Sequence, residues 1–420
     1  FVRCASSTVD IKVADTDYNT SNIIKAIEDA AQNDIKLIVF PELCITGYTC
    51  GDLFLQKILI DSAKDSLIKI AKATENLDIT AVVGLPYVAE QTLYNCAAVV
   101  NGGHIKGLVP KLNIPNYAEF YEVRHFTAGK NEVTYVNING EEIPFGANIL
   151  FKTDACEDFV LAVEICEDVW TAMPPSVNHA LAGATIIANL SASNEVIAKD
   201  EYREMLVKSQ SAKLYCGYIY SDAGYGESTT VLVFAGDNMI AENGTILARS
   251  KRFNNECVYT ELDLERLVGE RKKSNTYNIV GSEKYVSVKL DMNIGDTKIT
   301  RYVDKQPFVP SNDKKREKRS EEILSIQSLG LKKRLDHTHA KTAVVGVSGG
   351  LDSTLALLVT VRAFDSLNLD RKNIIAVTMP CFGTTDRTYN NAVNFANSLG
   401  VTLKEVNIKA AVNQHFADIE

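Results

Sequence analysis

Three side chains capable of covalent catalysis each stand directly after an apolar run in the sequence. Glu42 follows the letters KLIVFP, Lys111 follows Pro110, and Cys166 follows the letters FVLAVEI. A cysteine attacks as the thiolate, and forming that thiolate needs a base and a cation nearby. An acyl-transfer site also needs a positive donor for the oxyanion. The carboxylate, the ammonium and the thiol together therefore predict an acyl-transfer site with Cys166 as the nucleophile.

Each of these residues also has an ordinary structural interpretation. A glutamate at a strand end is usually exposed or caps a helix, and a lysine is usually solvated. A cysteine among apolar residues usually fills a small space in the core. The prediction of catalysis therefore depends on all three side chains meeting in one cavity.

A second motif lies far along the chain, where residues 346–354 read GVSGGLDST. The motif overlaps an apolar run, KTAVVGV, and precedes an apolar stretch that predicts a helix over residues 354–364. A Gly- and Ser-rich turn at a helix N-terminus presents backbone N–H groups and the positive end of the helix dipole, which suits a phosphate. The spacing fits neither GxxxxGK[ST] nor GxGxxG. A tight strand-to-helix turn capped by serine or aspartate is the alternative.

Apolar runs that alternate with helical patterns supply the elements that must position these residues. A helical spacing over residues 23–31 precedes the apolar strand at 36–40, and the same alternation recurs at 61–84 and at 177–190. Buried strands separated by helices are typical of an α/β fold whose sheets are covered on both faces. We therefore predict α/β architecture for the chain.

Changes in composition divide the chain into two predicted domains. We expect a first domain over residues 1–267 and a second over 320–420 that is C-terminally incomplete. The polar stretch between them, 268–319, is expected to be a linker. Its charge run DKKREKR predicts a solvated helix that begins after Ser311 or Asn312.

Composition limits the classes of partner. The 420 residues are 46% hydrophobic and carry a net charge of −9, which argues against binding nucleic acid through phosphate neutralisation. Nine cysteines without a CxxC pair or zinc-type spacing indicate a reducing, cytoplasmic setting. No run approaches the roughly 18 apolar residues of a membrane span. We expect small-molecule substrates, with neither nucleic acid nor a membrane as partner.

The segments around the three reactive residues resemble those of the nitrilase (carbon–nitrogen hydrolase) superfamily. The resemblance runs from residue 2 to about 265 and implies an α-β-β-α sandwich. It also implies roles: Glu42 as general base, Lys111 as oxyanion stabiliser, Cys166 as nucleophile and Glu119 as a second carboxylate. A non-catalytic scaffold of the same fold is the alternative, and the intact triad argues against it.

The sequence SGGLDS after an apolar strand resembles the loop of the PP-loop ATP pyrophosphatases. This implies a Rossmann-like domain with a parallel sheet that cleaves ATP between its α- and β-phosphates. Asp352 would also serve Mg²⁺, and Met379 would approach the adenine. The resemblance assigns ATP binding to Gly346, Val347, Ser348, Gly349, Gly350, Leu351, Asp352, Ser353 and Met379.

A nitrilase-like domain ahead of a PP-loop domain resembles the glutamine-dependent NAD⁺ synthetases. This implies that one half releases ammonia from L-glutamine while the other adenylates deamido-NAD⁺ with ATP, so that ammonia displaces AMP. The resemblance also implies a homo-oligomer, up to an octamer. The residues that it assigns to glutamine binding are Tyr117, Ser193, Lys199, Tyr48 and Phe120.

Two points qualify the expected activity. The synthetase domain of that family continues well past Glu420, so this segment alone is not expected to complete the second reaction. The alternative function is a nitrilase-family amidase or carbamoylase fused to another PP-loop ligase. Glutaminase activity that rises with deamido-NAD⁺ and ATP would distinguish the two.

Overall fold

The structure is a computed structural model that describes residues 1–229 and 232–419. Its contacts divide the chain into two compact units, the first spanning Phe1–Tyr302 and the second beginning at Val303. The first unit holds Glu42, Lys111 and Cys166, and the second holds the Gly- and Ser-rich loop. Among the described residues, no helix is long and apolar enough to cross a bilayer.

The first unit contains helices and strands in alternation. Its α-helices are α1 Thr16–Gln32, α2 Lys57–Ala73, α3 Pro175–Leu181, α4 Lys199–Leu214 and α5 Leu264–Lys273. The strands are β1 Val2–Ser7, β2 Leu37–Val39, β3 Thr80–Ala89, β4 Thr92–Asn101, β5 His104–Pro110, β6 Thr134–Ile138, β7 Glu141–Phe145, β8 Ile149–Thr153, β9 Cys156–Ile165, β10 Ile186–Ser191, β11 Gly217–Asp222, β12 Met239–Glu242, β13 Thr245–Arg249, β14 Cys257–Leu262 and β15 Val286–Lys289. Short 3₁₀ turns span Tyr48–Leu55, Glu122–Arg124, Cys166–Trp170 and Ser282–Lys284.

The strands form two sheets that pack face to face. One sheet has the order β14-β1-β2-β3-β4-β5-β7-β6, and the other has the order β13-β12-β11-β10-β9-β8-β15. Val39, Val109 and Ile165 belong to the apolar core between the sheets. Helices α1 and α2 cover the outer face of the first sheet, while α3 and α4 cover the second. The α-β-β-α sandwich that the resemblance implied is confirmed.

Helix α1 illustrates how the sequence specifies these elements. Asp15 precedes the helix, and its carboxylate accepts a hydrogen bond from the Tyr18 backbone N–H, which satisfies one of the free donors of the first turn. Ile23, Ile27 and Ala30 follow at helical spacing and are buried against the sheet. The next strand, β2, is buried on both faces, as its uninterrupted apolar letters predict.

The segment expected to be a linker differs from the expectation over residues 268–302. Strand β15 within it pairs in parallel with β8 and completes the edge of the second sheet. Leu290 and Met292, which follow β15, are 1% and 6% exposed and lie in the core between the sheets. The pairing of β15 and the burial of these two side chains therefore attach residues 286–292 to the first unit.

The second unit is a smaller α/β arrangement. Its elements are α6 Asp313–Thr338, β16 Ala343–Gly346, α7 Leu351–Ser366, β17 Ile374–Thr378, α8 Asp386–Leu399, β18 Thr402–Glu405 and α9 Lys409–Ile419. The strands form a parallel sheet in the order β16-β17-β18. The charged helix begins where the sequence predicts, because the Asn312 side chain accepts a hydrogen bond from the Lys315 backbone N–H.

Candidate active site

Glu42 and Lys111 form a buried ion pair beyond the ends of β2 and β5. The Lys111 Nζ lies 2.6 Å from Glu42 Oε1, and both side chains are fully buried. Asn95 on β4 donates from Nδ2 to the same carboxylate oxygen at 2.6 Å. Glu42 Oε2 is buried and has no hydrogen-bond partner among the described residues. One oxygen of Glu42 is therefore held in place, while the other is available to accept a proton.

Glu122 is a second carboxylate on the same ammonium. Its two carboxylate oxygens lie 2.7 and 2.8 Å from Lys111 Nζ. The Tyr48 hydroxyl donates to Glu122 Oε1 at 2.9 Å. Burial alone would lower the pKa of Lys111, but Glu122 and Glu42 raise it well above its ordinary value. Lys111 is therefore a fixed cation in the neutral pH range.

Cys166 begins the 3₁₀ turn that follows β9, and its side chain is almost completely buried. Burial and the charge of Glu42 raise the pKa of the Cys166 thiol well above its ordinary value, although Lys111 and a hydrogen bond from the Ala192 backbone oppose this rise. Burial is also the largest cause that raises the pKa of Glu42 to about 7. The resting cysteine is therefore a thiol, and the carboxylate beside it titrates where a general base is effective.

Backbone contacts between strand ends bring these residues together. The Glu42 N–H donates to the Ser191 carbonyl at 3.3 Å, which joins the end of β2 to the end of β10 in the other sheet. The Lys111 N–H donates to the Asn95 carbonyl at 2.8 Å. Gly84 on β3 packs directly on the turn that carries Glu42, since a Cβ there would lie 2.3 Å from the Leu43 backbone nitrogen.

Aromatic and polar side chains form one wall around Cys166. The Tyr117 hydroxyl donates to both oxygens of Glu167, the residue after the cysteine, at 3.0 and 2.9 Å. Lys199 Nζ lies 5.5 Å from the centre of the Phe120 ring and 5.3 Å from that of Trp170. Lys199 and Tyr117 both interact electrostatically with Cys166. Tyr117 and Lys199 thus lie near the cysteine, and the Phe120 ring contacts both of them.

Known families match both halves of the chain. The family model described as Carbon-nitrogen hydrolase matches residues 3–272, almost all of the first unit. The chain belongs to the carbon-nitrogen hydrolase family. A second family model, NAD synthase, matches residues 323–420. The combination of families expected from the two motifs is therefore confirmed.

Individual relatives combine the same two parts. A glutamine-dependent NAD(+) synthetase from Mycobacterium tuberculosis is 38% identical in an alignment of length 418, which covers 97% of this chain and 62% of that protein. The crystal structure of a glutamine-dependent NAD(+) synthetase from Cytophaga hutchinsonii has a TM-score of 0.56 at 25% identity and covers 100% of this chain and 67% of its own. The structure of the Acinetobacter baumannii enzyme with ADP is similar in fold, with a TM-score of 0.52 at 22% identity over the same shares. This chain thus spans about 62% of the length of the mycobacterial relative.

The carbon-nitrogen hydrolase half differs from the sequence prediction at the second carboxylate. Glu122 contacts Lys111, whereas the predicted Glu119 accepts a hydrogen bond from Asn194. Asn194 in turn accepts from Lys199 Nζ at 2.6 Å. The structure therefore places Glu119 in the wall that holds Lys199, and Glu122 in the buried cluster.

Ser193 and Tyr48 occupy less open positions than the resemblance implied. Ser193 is 2% exposed, its N–H donates to Asp222 at 2.8 Å, and its hydroxyl accepts from Arg203 at 3.3 Å. Tyr48 is half-buried and also lines a cavity of about 230 Å³ whose wall includes Glu122. Both residues thus belong to the hydrogen-bonded surroundings of the site.

The Gly- and Ser-rich loop of the second unit connects β16 to α7. Ser353 Oγ accepts from the Ser348 N–H at 3.2 Å, and Ser348 Oγ accepts from the Gly350 N–H at 3.3 Å. Gly349 has a φ of 81°, and a Cβ there would lie 2.0 Å from the Thr388 carbonyl oxygen. The loop therefore folds closely against the start of α8, beside a cavity of about 740 Å³.

The other predicted ATP-binding residues surround this loop. Gly346 and Val347 lie at the end of β16, Leu351 and Asp352 are exposed in the first turn of α7, and Met379 directly follows β17 and is 51% exposed. The carboxyl ends of two neighbouring parallel strands thus bring the loop and Met379 to one edge of the sheet.

Several residues of the site were missed by sequence reasoning. Glu122, Asn95 and Trp170 contact the proposed catalytic and binding residues, yet none stands at a distinctive spacing. The only available signal for Glu122 was its place in the segment after Lys111, and Glu119 shares that segment. Contacts between segments distant in sequence could not be predicted from local pattern.

Proposed function

We propose that this chain is the glutaminase half, together with part of the synthetase half, of a glutamine-dependent NAD⁺ synthetase. The observation that carries the proposal is the buried contact of Lys111 with Glu42 beside Cys166, in a chain whose second part matches the NAD synthase family. A buried thiol, base and fixed cation suit amide cleavage, and the second family supplies a use for the ammonia released.

The proposed chemistry begins with proton transfer from the Cys166 thiol to the free oxygen of Glu42. The sulfur attacks the side-chain amide carbon of glutamine, and Lys111 stabilises the oxyanion that forms. Collapse of this intermediate breaks the carbon–nitrogen bond, and Glu42 returns the proton to the departing ammonia. Water, deprotonated by Glu42, then hydrolyses the thioester and releases glutamate while the thiol is restored.

Glutamine is proposed to bind along the wall formed by Tyr117, Phe120 and Lys199. The Lys199 ammonium suits the α-carboxylate of the substrate, because it is partly buried and a charged hydrogen bond is strong there. Ser193 and Tyr48 complete the proposed set. Ser193 would position the substrate at the end of β10, and Tyr48 borders the cavity beside Glu122.

ATP is proposed to bind at the loop between β16 and α7. The backbone N–H groups of the loop and the N-terminus of the 16-residue helix α7 suit the phosphates. The adenine would then lie near Met379. The full set proposed for ATP is Gly346, Val347, Ser348, Gly349, Gly350, Leu351, Asp352, Ser353 and Met379.

Mg²⁺ fits this loop as a partner of the nucleotide. Among the described residues, no group of three or more His, Cys, Asp and Glu side chains could hold a metal by itself. Mg²⁺ commonly takes only one or two carboxylates together with substrate phosphates, and exposed Asp352 supplies such a ligand. Bound there, the ion would neutralise phosphate charge during adenylation.

The remaining parts of the proposal concern the whole enzyme. Deamido-NAD⁺ would be adenylated on its carboxyl group, and ammonia from the first unit would displace AMP to give NAD⁺. We propose a homo-oligomer in the cytoplasm, with a first domain over residues 1–302 and the synthetase domain from residue 320 onward. Light scattering of the purified protein measures the number of subunits.

The deciding experiment substitutes Cys166 by alanine in a protein that carries this sequence through the full length of the relatives. We expect glutamine-driven NAD⁺ synthesis to be lost, while synthesis from ammonium chloride stays within twofold of the parent. Cys216→Ala is the matched control, since Cys216 is also buried but lies before β11, outside the site. Loss of the ammonium-driven reaction in Cys166→Ala would contradict the division of labour.

A second measurement distinguishes the synthetase from an amidase fused to another PP-loop ligase. The parent's rate of glutamine hydrolysis is compared with and without ATP, Mg²⁺ and deamido-NAD⁺. We expect the rate to rise when all three are present. If ATP, Mg²⁺ and deamido-NAD⁺ left the rate unchanged, and the protein also hydrolysed carbamoyl or simple amide substrates, the amidase would be favoured.

A further inference from the structure

Asp168 connects the turn of the proposed nucleophile to the loop of the proposed oxyanion stabiliser. It lies in the Cys166–Trp170 turn and is 1% exposed. Its Oδ2 accepts the Ile165 N–H at 2.9 Å. Its Oδ1 accepts both the Asn113 N–H at 2.9 Å and Asn113 Nδ2 at 2.7 Å. One buried carboxylate thus receives three hydrogen bonds from two segments more than 50 residues apart in sequence.

Both bonded segments are adjacent to residues of the proposed chemistry. Ile165 directly precedes Cys166, and Asn113 lies two residues after Lys111. Cys166 has a φ of 43°, a backbone conformation that is unfavourable for a non-glycine residue and persists only where the surroundings hold it. Asp168 accepts a hydrogen bond from Ile165, which precedes the strained Cys166. The same carboxylate accepts from Asn113, in the loop that follows Lys111.

We propose that Asp168 is a positioning residue that keeps the Lys111 loop in register with the Cys166 turn during glutamine hydrolysis. This inference rests on the proposed glutaminase function. Asp168 acts through its neighbours, because both of its oxygens are already bonded to protein N–H groups. A misplacement of about 1 Å between reacting groups can lower a rate about 100-fold, so a rigid link of this kind bears directly on catalysis.

The chemistry of the link requires a carboxylate. Three N–H donors approach from two sides, and only a side chain with two acceptor oxygens accepts from both. Asparagine has nearly the same volume but offers one oxygen and one NH₂ group. In Asp168→Asn, the NH₂ group must face the N–H of either Ile165 or Asn113, and one end of the link is lost.

The kinetic test compares Asp168→Asn, Asn113→Ala and the double variant with the parent chain. We expect kcat for glutamine hydrolysis to fall at least tenfold in Asp168→Asn and at least threefold in Asn113→Ala. We expect KM to change less than threefold in both, because the substrate-binding wall is untouched. The double variant is expected to be no slower than Asp168→Asn. The Nδ2 bond that Asn113→Ala removes is made to the same carboxylate that Asp168→Asn alters. The proposal would be overturned if the kcat losses of the two single variants multiplied in the double variant. An unchanged kcat in Asp168→Asn would also overturn it.

Asp263→Asn is the matched control for this substitution. Asp263 also accepts a backbone N–H, that of Arg266 at the start of α5, and it lies outside the site. We expect its kcat to equal that of the parent. A similar kcat loss in both aspartate variants would show a general effect of the substitution and would overturn the positioning role.

Hydrogen exchange tests the link without any catalytic assay. We expect the amides of Ile165 and Asn113 to exchange at least tenfold faster in Asp168→Asn, and the Ile165 amide to exchange faster in Asn113→Ala as well. Asn113→Ala removes only the Nδ2 donor. If Asp168→Asn does not fold, the exchange rate of the Ile165 amide in Asn113→Ala therefore tests the link. Should the parent fail to hydrolyse glutamine, the proposed function falls, but faster exchange at both sites still supports the link. Unchanged exchange in both variants overturns it.

Discussion

The two carboxylate oxygens of Glu122 lie 2.7 and 2.8 Å from the Lys111 ammonium, in a contact that is almost completely buried. Glu42 shares the same ammonium at 2.6 Å. Loss of Lys111 would leave two buried carboxylates without their cation, and an uncompensated buried charge typically costs about 3–5 kcal/mol. The ammonium therefore holds the cluster together, and Glu122 is as much a part of it as Glu42.

Substitution of Glu122 distinguishes its role from that of Glu119. We expect Glu122→Gln to lower kcat for glutamine hydrolysis about 10- to 100-fold, because Lys111 loses the carboxylate that fixes it. Glu119→Gln should instead raise KM severalfold with a smaller change in kcat, because Glu119 acts on Lys199 through Asn194. Steady-state kinetics of both variants separate these effects. The reverse pattern would show that Glu119 is the second carboxylate, as the family resemblance implied.

The pH dependence of hydrolysis reports the protonation of Glu42. Burial and the neighbouring Glu122 raise the pKa of Glu42, which lies at about 7 even though Lys111 lowers it. A general base acts only when deprotonated, so kcat/KM should rise with pH up to about 7 and then level off. Below that value it should fall about tenfold per pH unit. A profile that is flat between pH 5 and 7 would exclude this role for Glu42.

The pH profile of kcat/KM in Glu122→Gln tests the electrostatic interaction between Glu122 and Glu42. Removing a negative charge beside Glu42 stabilises its ionised form, so the pKa of Glu42 should decrease. The rising limb of kcat/KM is therefore expected to move to lower pH. A limb that moved to higher pH, or stayed in place, would contradict the arrangement of charges described above.

Substitution of Gly84 tests its close packing against the turn that carries Glu42. An alanine Cβ at this position would lie 2.3 Å from the Leu43 backbone nitrogen, so the turn carrying Glu42 must move. We expect Gly84→Ala to destabilise the first unit by about 1–3 kcal/mol and to lower kcat about 100-fold. Thermal unfolding and glutaminase assays measure the two effects.

Gly269 in α5 supplies the control for that glycine substitution. No atom lies within 4 Å of a Cβ built there, and alanine in a helix interior is about 0.5–1 kcal/mol more favourable than glycine. Gly269→Ala should therefore keep full activity and melt at the same or a slightly higher temperature. If Gly84→Ala behaved in the same way, the packing at Gly84 would not constrain Glu42.

Substitution of Gly349 tests whether close packing shapes the Gly- and Ser-rich loop of the second unit. Its φ of 81° and the Thr388 carbonyl oxygen 2.0 Å from a built Cβ leave no room for alanine. We expect Gly349→Ala to weaken ATP binding at least tenfold, measured by calorimetry with Mg²⁺. Gly330→Ala on α6, where nothing lies within 4 Å, should bind ATP like the parent. Equal affinities in the two variants would argue against the loop as the phosphate site.

Local pattern identified most of the elements and the three reactive residues. The alternation of helical spacing with short apolar runs predicted α1, β2 and an α/β fold, whereas the resemblance to a known family implied the sandwich. Glu42, Lys111 and Cys166 could be selected because each follows a strand, and strand ends gather at a sheet edge. The boundary at 267 could not be placed from pattern, since β15 attaches to β8 through pairing across more than 130 residues.

The residue types that follow each strand could be predicted from the chain alone, because period and apolar content are local properties. Glu119 and Glu122 stand three residues apart in the same loop, and their roles depend on tertiary packing. In the folded chain Glu122 contacts Lys111, while Glu119 contacts Asn194. Asp168 likewise acquires its partner Asn113 only when β5 and β9, which belong to different sheets, pack against each other. Hydrogen bonds between distant segments depend on how the strands pack, and no local spacing specifies them.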